Sequence, residues 1–444
     1  MDLREQEHKL TALVQNILTE AQQQGADQAE VSVSVDAGLS VSVRKGELEN
    51  VEFNQDRGFG ITLYYGQRKG SASTTDSSER AIADTVAAAK NIASHTEDDP
   101  CNGLADAELS PKTLQDLDLF HLWDVQPQQA AELAKECEAA GLAVDARLTN
   151  SDGAQVNTQQ SLRLYGNSHG FIGAYAGTRH GLSCVVIGED ENGMQRDYWY
   201  TTARKATDLD SAEQVGRLAG ERTVARLSPQ NAPTGSYPVM FAPNMASGLF
   251  GHLIGAISGG ALYRRASFLL DSMGQQVLPE WLSLTERPHL PNSLGSANFD
   301  GDGVATRSKS FVADGRVASY VLSCYSARKL NLAPTGNAGG VYNLDIDGPQ
   351  TPLADLLKQM GTGLLVTELM GQGINGVTGD YSRGAAGFWV ENGEITYPVA
   401  EVTVAGNLKD IYQAIVGIGD DVDYRGNVRA PSVLVESMTL AGSA

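Results

Sequence analysis

Metal and nucleophilic catalysis need imidazoles, thiols or hydroxyls at close spacing, and this chain has seven His and four Cys to supply them. Cys101, Cys137, Cys184 and Cys324 lie far apart. No C-x-x-C or local Cys–His pair exists to build a structural zinc site. Reduced, mostly buried thiols are expected, because a disulfide framework needs far denser cysteine. Gly166-Asn167-Ser168-His169-Gly170 matches the G-x-S-x-G string of a nucleophile elbow. That elbow needs a helix after the serine, and a strand pattern follows instead, so a polar hairpin tip is predicted. Gly371-Gln372-Gly373-Ile374-Asn375-Gly376 matches G-x-G-x-x-G, yet a turn follows it and no dinucleotide site is implied. Asp300-Gly301-Asp302-Gly303 lacks the later ligands of a calcium loop and reads as a turn. The glycine loop Leu330–Gly340 has no Lys-Ser/Thr pair to cradle a phosphate.

One histidine stands apart. Met245–Ile257 reads as an apolar helix with His252 as its single imidazole. Such a residue is ordinarily packed and hydrogen-bonded in a core, and no second His or acid lies within one turn to complete a metal site.

These residues are carried by a chain of 444 residues, long enough for two or three domains of about 150. Lys plus Arg number 33 and Asp plus Glu 54, a net charge of −21, which argues against a nucleic-acid partner. The polar start, Met1–Glu7, opens a helix pattern, and no run of 18 apolar residues occurs. A soluble cytosolic protein without a membrane partner is the expectation.

Periodicity predicts an α+β fold. Leu10, Leu13, Val14, Ile17, Leu18 and Ala21 form one helical face, stopped by Gly25. Strand patterns follow at Val31–Val35, Leu39–Val43 and Phe59–Tyr65, then a helix with Ile82, Val86, Ala89 and Ile92, capped within Thr75–Ser78. A polar, acidic crossing precedes Pro127, which suits the first position of a helix carrying Ala130, Leu133, Ala134 and Cys137. Further strands are predicted at Ala143–Asn150, Gln160–Tyr165 and Leu182–Ile187, and a helix near Ser211–Leu227. Pro229, Pro233, Gly235 and Pro238 mark the best boundary, after which most of the 48 glycines fall. Asp314-Gly315 and Asn392-Gly393 read as hairpin turns. The expected organisation is an N-terminal α+β domain (1–97), a linker (98–127), a middle helix–strands–helix unit (128–230) and a Gly-rich, β-rich C-terminal domain (231–444) forming a curved sheet or barrel.

Three stretches carry a resemblance. Ser247–Phe268, the block Phe311–Leu330 with Pro334-Thr335-Gly336, and the run Gly379-Asp380-Tyr381-Ser382-Arg383-Gly384 through Gly406-Asn407 together resemble the TldD/PmbA family, over nearly the whole chain. Within the family the sequence is most similar to TldE-type chains. The family is associated with a cytosolic heteromeric metalloprotease whose TldD-type chain carries H-E-x-x-x-H on a helix: the imidazoles bind zinc, and the Glu serves as general base. Laid on this chain, that motif falls on Gly251, His252 and Ala256, and no cysteine follows Cys324 to act as third ligand.

The resemblance therefore implies a non-catalytic subunit without metal of its own, partnered by a zinc-holding TldD-like chain that cleaves extended, unfolded peptides in peptide maturation and antitoxin degradation. His252, Tyr325, Arg328, Thr335 and Asn337 are the candidates for contacting peptide or partner. Whether the lone chain pairs with a second copy is left open. Two competing readings are a protein-binding regulator of the gyrase-modulator kind and an independent peptidase with an unrecognised site, for instance at Ser168-His169.

Overall fold

A computed structural model describes residues 6–442; most of the polar start, residues 1–5, lies outside the described residues. Helix α1 (Glu7–Gln23) precedes three long antiparallel strands, β1 (Gln28–Arg44), β2 (Glu47–Tyr65) and β3 (Arg68–Thr74), and then α2 (Glu79–His95). The Ser78 hydroxyl caps α2 by accepting from the Ala81 N–H. The two valine patterns near residues 31–43 belong to one strand, because Ala37 and Gly38 between them keep their ladder partners on both sides. After an extended crossing come α3 (Pro127–Leu142), β4 (Asn150–Asn167), β5 (Ile172–Asp190), β6 (Gly193–Ala203) and α4 (Ala212–Ala225).

Residues 1–97 and 128–230 contribute to one continuous sheet, ordered β3-β2-β1-β4-β5-β6. Strand β1 supplies the seam, pairing with β2 on one side and β4 on the other. Its alternate residues Val31, Val33 and Val35 pack under α1 and α2, while Val41 and Val43 pack under α3 and α4. Burying each such side chain stabilises the sheet–helix layer by about 1.5–3 kcal/mol. A Cβ on Gly216 of α4 would stand 1.9 Å from the Cys137 carbonyl oxygen of α3, so these helices touch backbone to backbone. The strand expected at Ala143–Asn150 is instead a helix end and turn. Asp145 accepts from the Arg147 backbone and guanidinium, which curls the chain before β4 begins.

The second half opens with β7 (Gly235–Phe241), α5 (Pro243–Ala256) and α6 (Gly259–Tyr263). Then follow β8 (Ser283–Glu286), β9 (Lys309–Ala313), β10 (Arg316–Val317), α7 (Cys324–Lys329), β11 (Leu344–Asp347), β12 (Gln350–Thr351) and α8 (Leu353–Met360). The chain ends on β13 (Gly363–Met370), β14 (Asp380–Glu391), β15 (Glu394–Asn407), α9 (Leu408–Gln413), β16 (Ile415–Gly419), β17 (Val428–Arg429) and β18 (Val433–Ala441). Strand β7 pairs with both β13 and β18, which closes β18-β15-β14-β13-β7 into a five-stranded barrel. The expected curved sheet or barrel is thus a barrel. Both predicted hairpin turns form, with positive φ at Asp314 and Gly315 and at Asn392 and Gly393, as a type I′ turn requires. Val239 and Phe241 of β7 join the core shared with α5 and α9, while Met240 between them packs with α8. Among the described residues, no helix is long and apolar enough to cross a membrane.

Residues 96–126 form a strap. Leu104, Ala105, Leu117, Leu119 and Val125 are buried along it, and it touches both halves of the molecule. Gln28 accepts from the Leu104 N–H at 2.9 Å, and Leu109 accepts from Ala305 N–H at 2.8 Å.

Candidate functional site

Pro243 occupies the first turn of α5, where its missing N–H costs nothing. The helix buries Ala246, Leu249, Phe250, Leu253 and Ala256 against the barrel, and the Tyr412 hydroxyl of α9 donates to the Leu249 carbonyl at 2.7 Å. Gly248, Gly251 and Gly255 line the opposite face, each with open space where a Cβ would stand. His252 is half-buried beside them, its ring 6.4 Å from that of Tyr381. Burial, and then the Arg383 charge, push its pKa down. Burial raises Tyr381 to about 12. Ala256 is 5% exposed and in the core, since five residues along a helix turn the direction by about 140° from Gly251.

The remaining candidates act inside the fold. Ser323 and Ser326 form a capping box that starts α7. From this helix the Arg328 guanidinium reaches the strap, donating to the carbonyls of Cys101 at 3.2 Å, Gly103 at 2.8 Å and Leu104. Tyr325 donates to Asp99 at 2.7 Å, and Lys329 pairs with the same carboxylate. The Cys101 N–H, then Lys329 and Tyr325, hold the Asp99 pKa down at about 2. Thr335 accepts from the Leu322 N–H at 2.8 Å. Asn337 donates to Glu286 at 2.8 Å and to the Gly340 carbonyl at 3.0 Å. The structure therefore brings Tyr325 and Arg328 together on the strap, places Thr335 and Asn337 in buried loops, and leaves His252 on the open face of α5.

Two acids, Glu286 in the core and the half-buried Glu30, carry no local sequence signal. Glu286 is fully buried and meets Lys309, Asn337 and the Tyr342 N–H; burial raises its pKa against those partners. Glu30 accepts from the Tyr64 and Tyr165 hydroxyls at 3.0 and 2.9 Å. Only their long-range strand pairing could have revealed either.

The donor set does not fit zinc. Gly251, His252 and Ala256 of α5 offer a hydrogen, one imidazole and a methyl group, and no three His, Cys, Asp or Glu side chains are grouped to hold a metal among the described residues. Ser168 lies at the β4–β5 hairpin tip and accepts from the Ala29 N–H at 3.0 Å. No helix follows it, so the nucleophile-elbow geometry is lost. The Gly371–Gly376 string is likewise a loop between β13 and β14. Asp300 accepts from the Asp302 and Val304 N–H groups, closing the expected turn.

Family models match the chain in three parts: PmbA/TldA metallopeptidase domain 1 over residues 29–93, the central domain over 120–227 and the C-terminal domain over 234–442. The chain is 52% identical over 417 residues to metalloprotease PmbA of Escherichia coli O157:H7, covering 94% of this chain and 93% of that one. It is 47% identical to a metalloprotease PmbA homolog of Haemophilus influenzae, covering 99% and 98%. Among solved structures, a candidate modulator of DNA gyrase from Bacteroides thetaiotaomicron superposes with a TM-score of 0.92 at 27% identity, covering 98% and 99%. TldE from Thermococcus kodakarensis gives 0.85 at 19% identity, covering 97% and 100%, which is a likeness of fold.

Proposed function

The chain belongs to the PmbA/TldD metallopeptidase family, and from that premise we propose that it is the non-catalytic, TldE-like subunit of a cytosolic heteromeric zinc protease. One observation carries the reading. Where the H-E-x-x-x-H pattern of a TldD-type chain is laid on α5, this chain presents Gly251, His252 and Ala256: a hydrogen, one imidazole and a methyl group in place of two imidazoles and a carboxylate. One imidazole, that of His252, is too few ligands for a catalytic zinc, and no carboxylate stands beside it as general base.

In this reading the TldD-like partner supplies the zinc and the general base. The present chain completes the chamber in which an extended peptide is held, and peptide maturation and antitoxin degradation are the processes it serves. The open glycine face of α5 lets a backbone approach closely, as partner or peptide docking requires. The test is reconstitution. Purified chain mixed with a TldD-type chain is expected to co-elute with it and to cleave an unfolded peptide that the present chain alone leaves intact. Cleavage by the lone chain, or a TldD-type chain that neither binds it nor gains activity from it, overturns the proposal.

A further inference from the structure

On the sheet face turned away from α1–α4, a cavity of about 440 Å³ opens between the strands and the loops at residues 299–301 and 338–342. Its floor is made of small residues in register. Ser32 pairs with Gly60 and Gly60 with Ser73, while Ser34 pairs with Gly58. Its walls are aromatic: Tyr165, Tyr175, Phe299 and Tyr342. Phe299 meets Tyr175 edge-on at 5.6 Å and Tyr165 at 6.4 Å, so the wall is a packed unit.

The charged side chains of the lining are Arg163 and Asp300. Arg163 is spent on Asp36, 2.8 Å from its guanidinium. Lys309, outside the lining, is paired with Glu286. Asp300 is 3% exposed and takes three backbone N–H donors, from Asp302, Val304 and Ala338, but no salt bridge among the described residues. Those donors favour a carboxylate, yet they carry no full positive charge to offset it. Asp302 beside it is another acid and brings no cation. A cavity of this size holds one long side chain and part of its backbone.

We propose that this cavity is a subsite for a lysine or arginine side chain of an extended peptide, seated along the aromatic wall with Asp300 as its counter-ion. Aromatic faces attract ammonium and guanidinium groups, and a desolvated carboxylate gives the charge-assisted hydrogen bond its strength. The chain's net charge of −21 adds a long-range pull in the same direction. That the cation belongs to a peptide rests on the proposed function; that the cavity selects a cation does not.

The experiment separates the two. Fluorescein-labelled, end-blocked heptapeptides that differ only at the central residue (Arg, Lys, Gln or Glu) are titrated into the isolated full-length chain by fluorescence anisotropy, with no protease partner present. The Arg and Lys peptides are expected to bind about tenfold or more tightly than the Gln peptide, with Glu weakest. Asp300→Asn is expected to erase the Arg-over-Gln preference. Ser73→Trp on the solvent-exposed β3 edge is expected to weaken every peptide by filling the floor; it keeps the test decisive should Asp300→Asn fail to fold. Equal binding of the Arg and Glu peptides, a preference that survives Asp300→Asn, or unchanged binding to Ser73→Trp overturns the proposal, whatever the outcome of reconstitution with a TldD-type chain.

Discussion

Replacing Arg328 with alanine separates a structural clamp from a peptide contact. The guanidinium donates to three carbonyls of the strap, those of Cys101, Gly103 and Leu104. Next to them the Asn102 N–H donates to Asp99, the Leu104 N–H to Gln28, and Ala105 is buried. A hydrogen bond from a charged donor is worth about 1.5–3 kcal/mol, and three bonds to one group do not add fully, so the loss is about 2–4 kcal/mol. At 1.4 kcal/mol per decade, the strap opens about 30-fold to about 700-fold more often. Hydrogen exchange read by mass spectrometry on peptides spanning residues 99–106 measures this directly, because amide exchange reports local opening free energy. The β14–β15 hairpin is the internal control, since among the described residues no hydrogen bond or ion pair joins it to Arg328. Exchange at 99–106 that is unchanged in Arg328→Ala, with the side chain's loss felt only in peptide binding, refutes the clamp.

Other perturbations follow from the same geometry. Gly216→Ala pushes a methyl group to within 1.9 Å of the Cys137 carbonyl and is expected to lower the thermal midpoint by more than an ordinary overpacked core change of about 1–3 kcal/mol. Gly251→Ala on the open face of α5 meets nothing within 4 Å and should raise the midpoint, because alanine is favoured over glycine in a helix by about 0.5–1 kcal/mol; a fall in the midpoint contradicts the open face. Lys309→Met leaves Glu286 buried without its cation at a cost of about 3–5 kcal/mol, visible as a lower urea midpoint that Glu286→Gln partly restores. Asp300 is raised by burial from 3.8 to about 7. A raised carboxyl contributes stability that is complete below about pH 4 and is lost as pH rises through about 7. The difference in urea midpoint between wild type and Asp300→Asn should therefore fall across that window, and a constant difference contradicts the shift.

Much of the secondary structure was written locally. The valine alternation of β1, the Ser78 cap, Pro127 at the start of α3 and the Asp-Gly and Asn-Gly turns each act through residues a few positions apart. Pairings between distant segments left no such trace. Nothing near Val31 announces that β1 will pair with β4 near residue 165, or near Gly235 that β7 will close a barrel with β18. The acidic crossing looked like a loose connection because its few apolar residues, Leu104, Ala105, Leu117 and Leu119, are too sparse for any period. Its anchors, Arg328 and Tyr325, lie more than two hundred positions away. The same distance hid the candidate site. Tyr325, Arg328, Thr335 and Asn337 were polar residues in a loop-rich block, and only the fold shows that their hydrogen bonds are made internally. Asp300 was legible as a turn, but not as an acid without a salt bridge among the described residues, lining a cavity whose other walls come from five strands of the sheet. The reading of α5 depended on a known motif: three small or neutral residues are informative only against the pattern they replace.

The central claim is that this chain cannot hold catalytic zinc. Metal analysis of the isolated, full-length chain after dialysis against zinc-buffered solution tests it most directly, with peptidase activity measured on the same sample. The account predicts well under one zinc per chain and no cleavage of an unfolded peptide. One tightly bound zinc per chain, with a peptidase activity that disappears on chelation and returns with the metal, contradicts it.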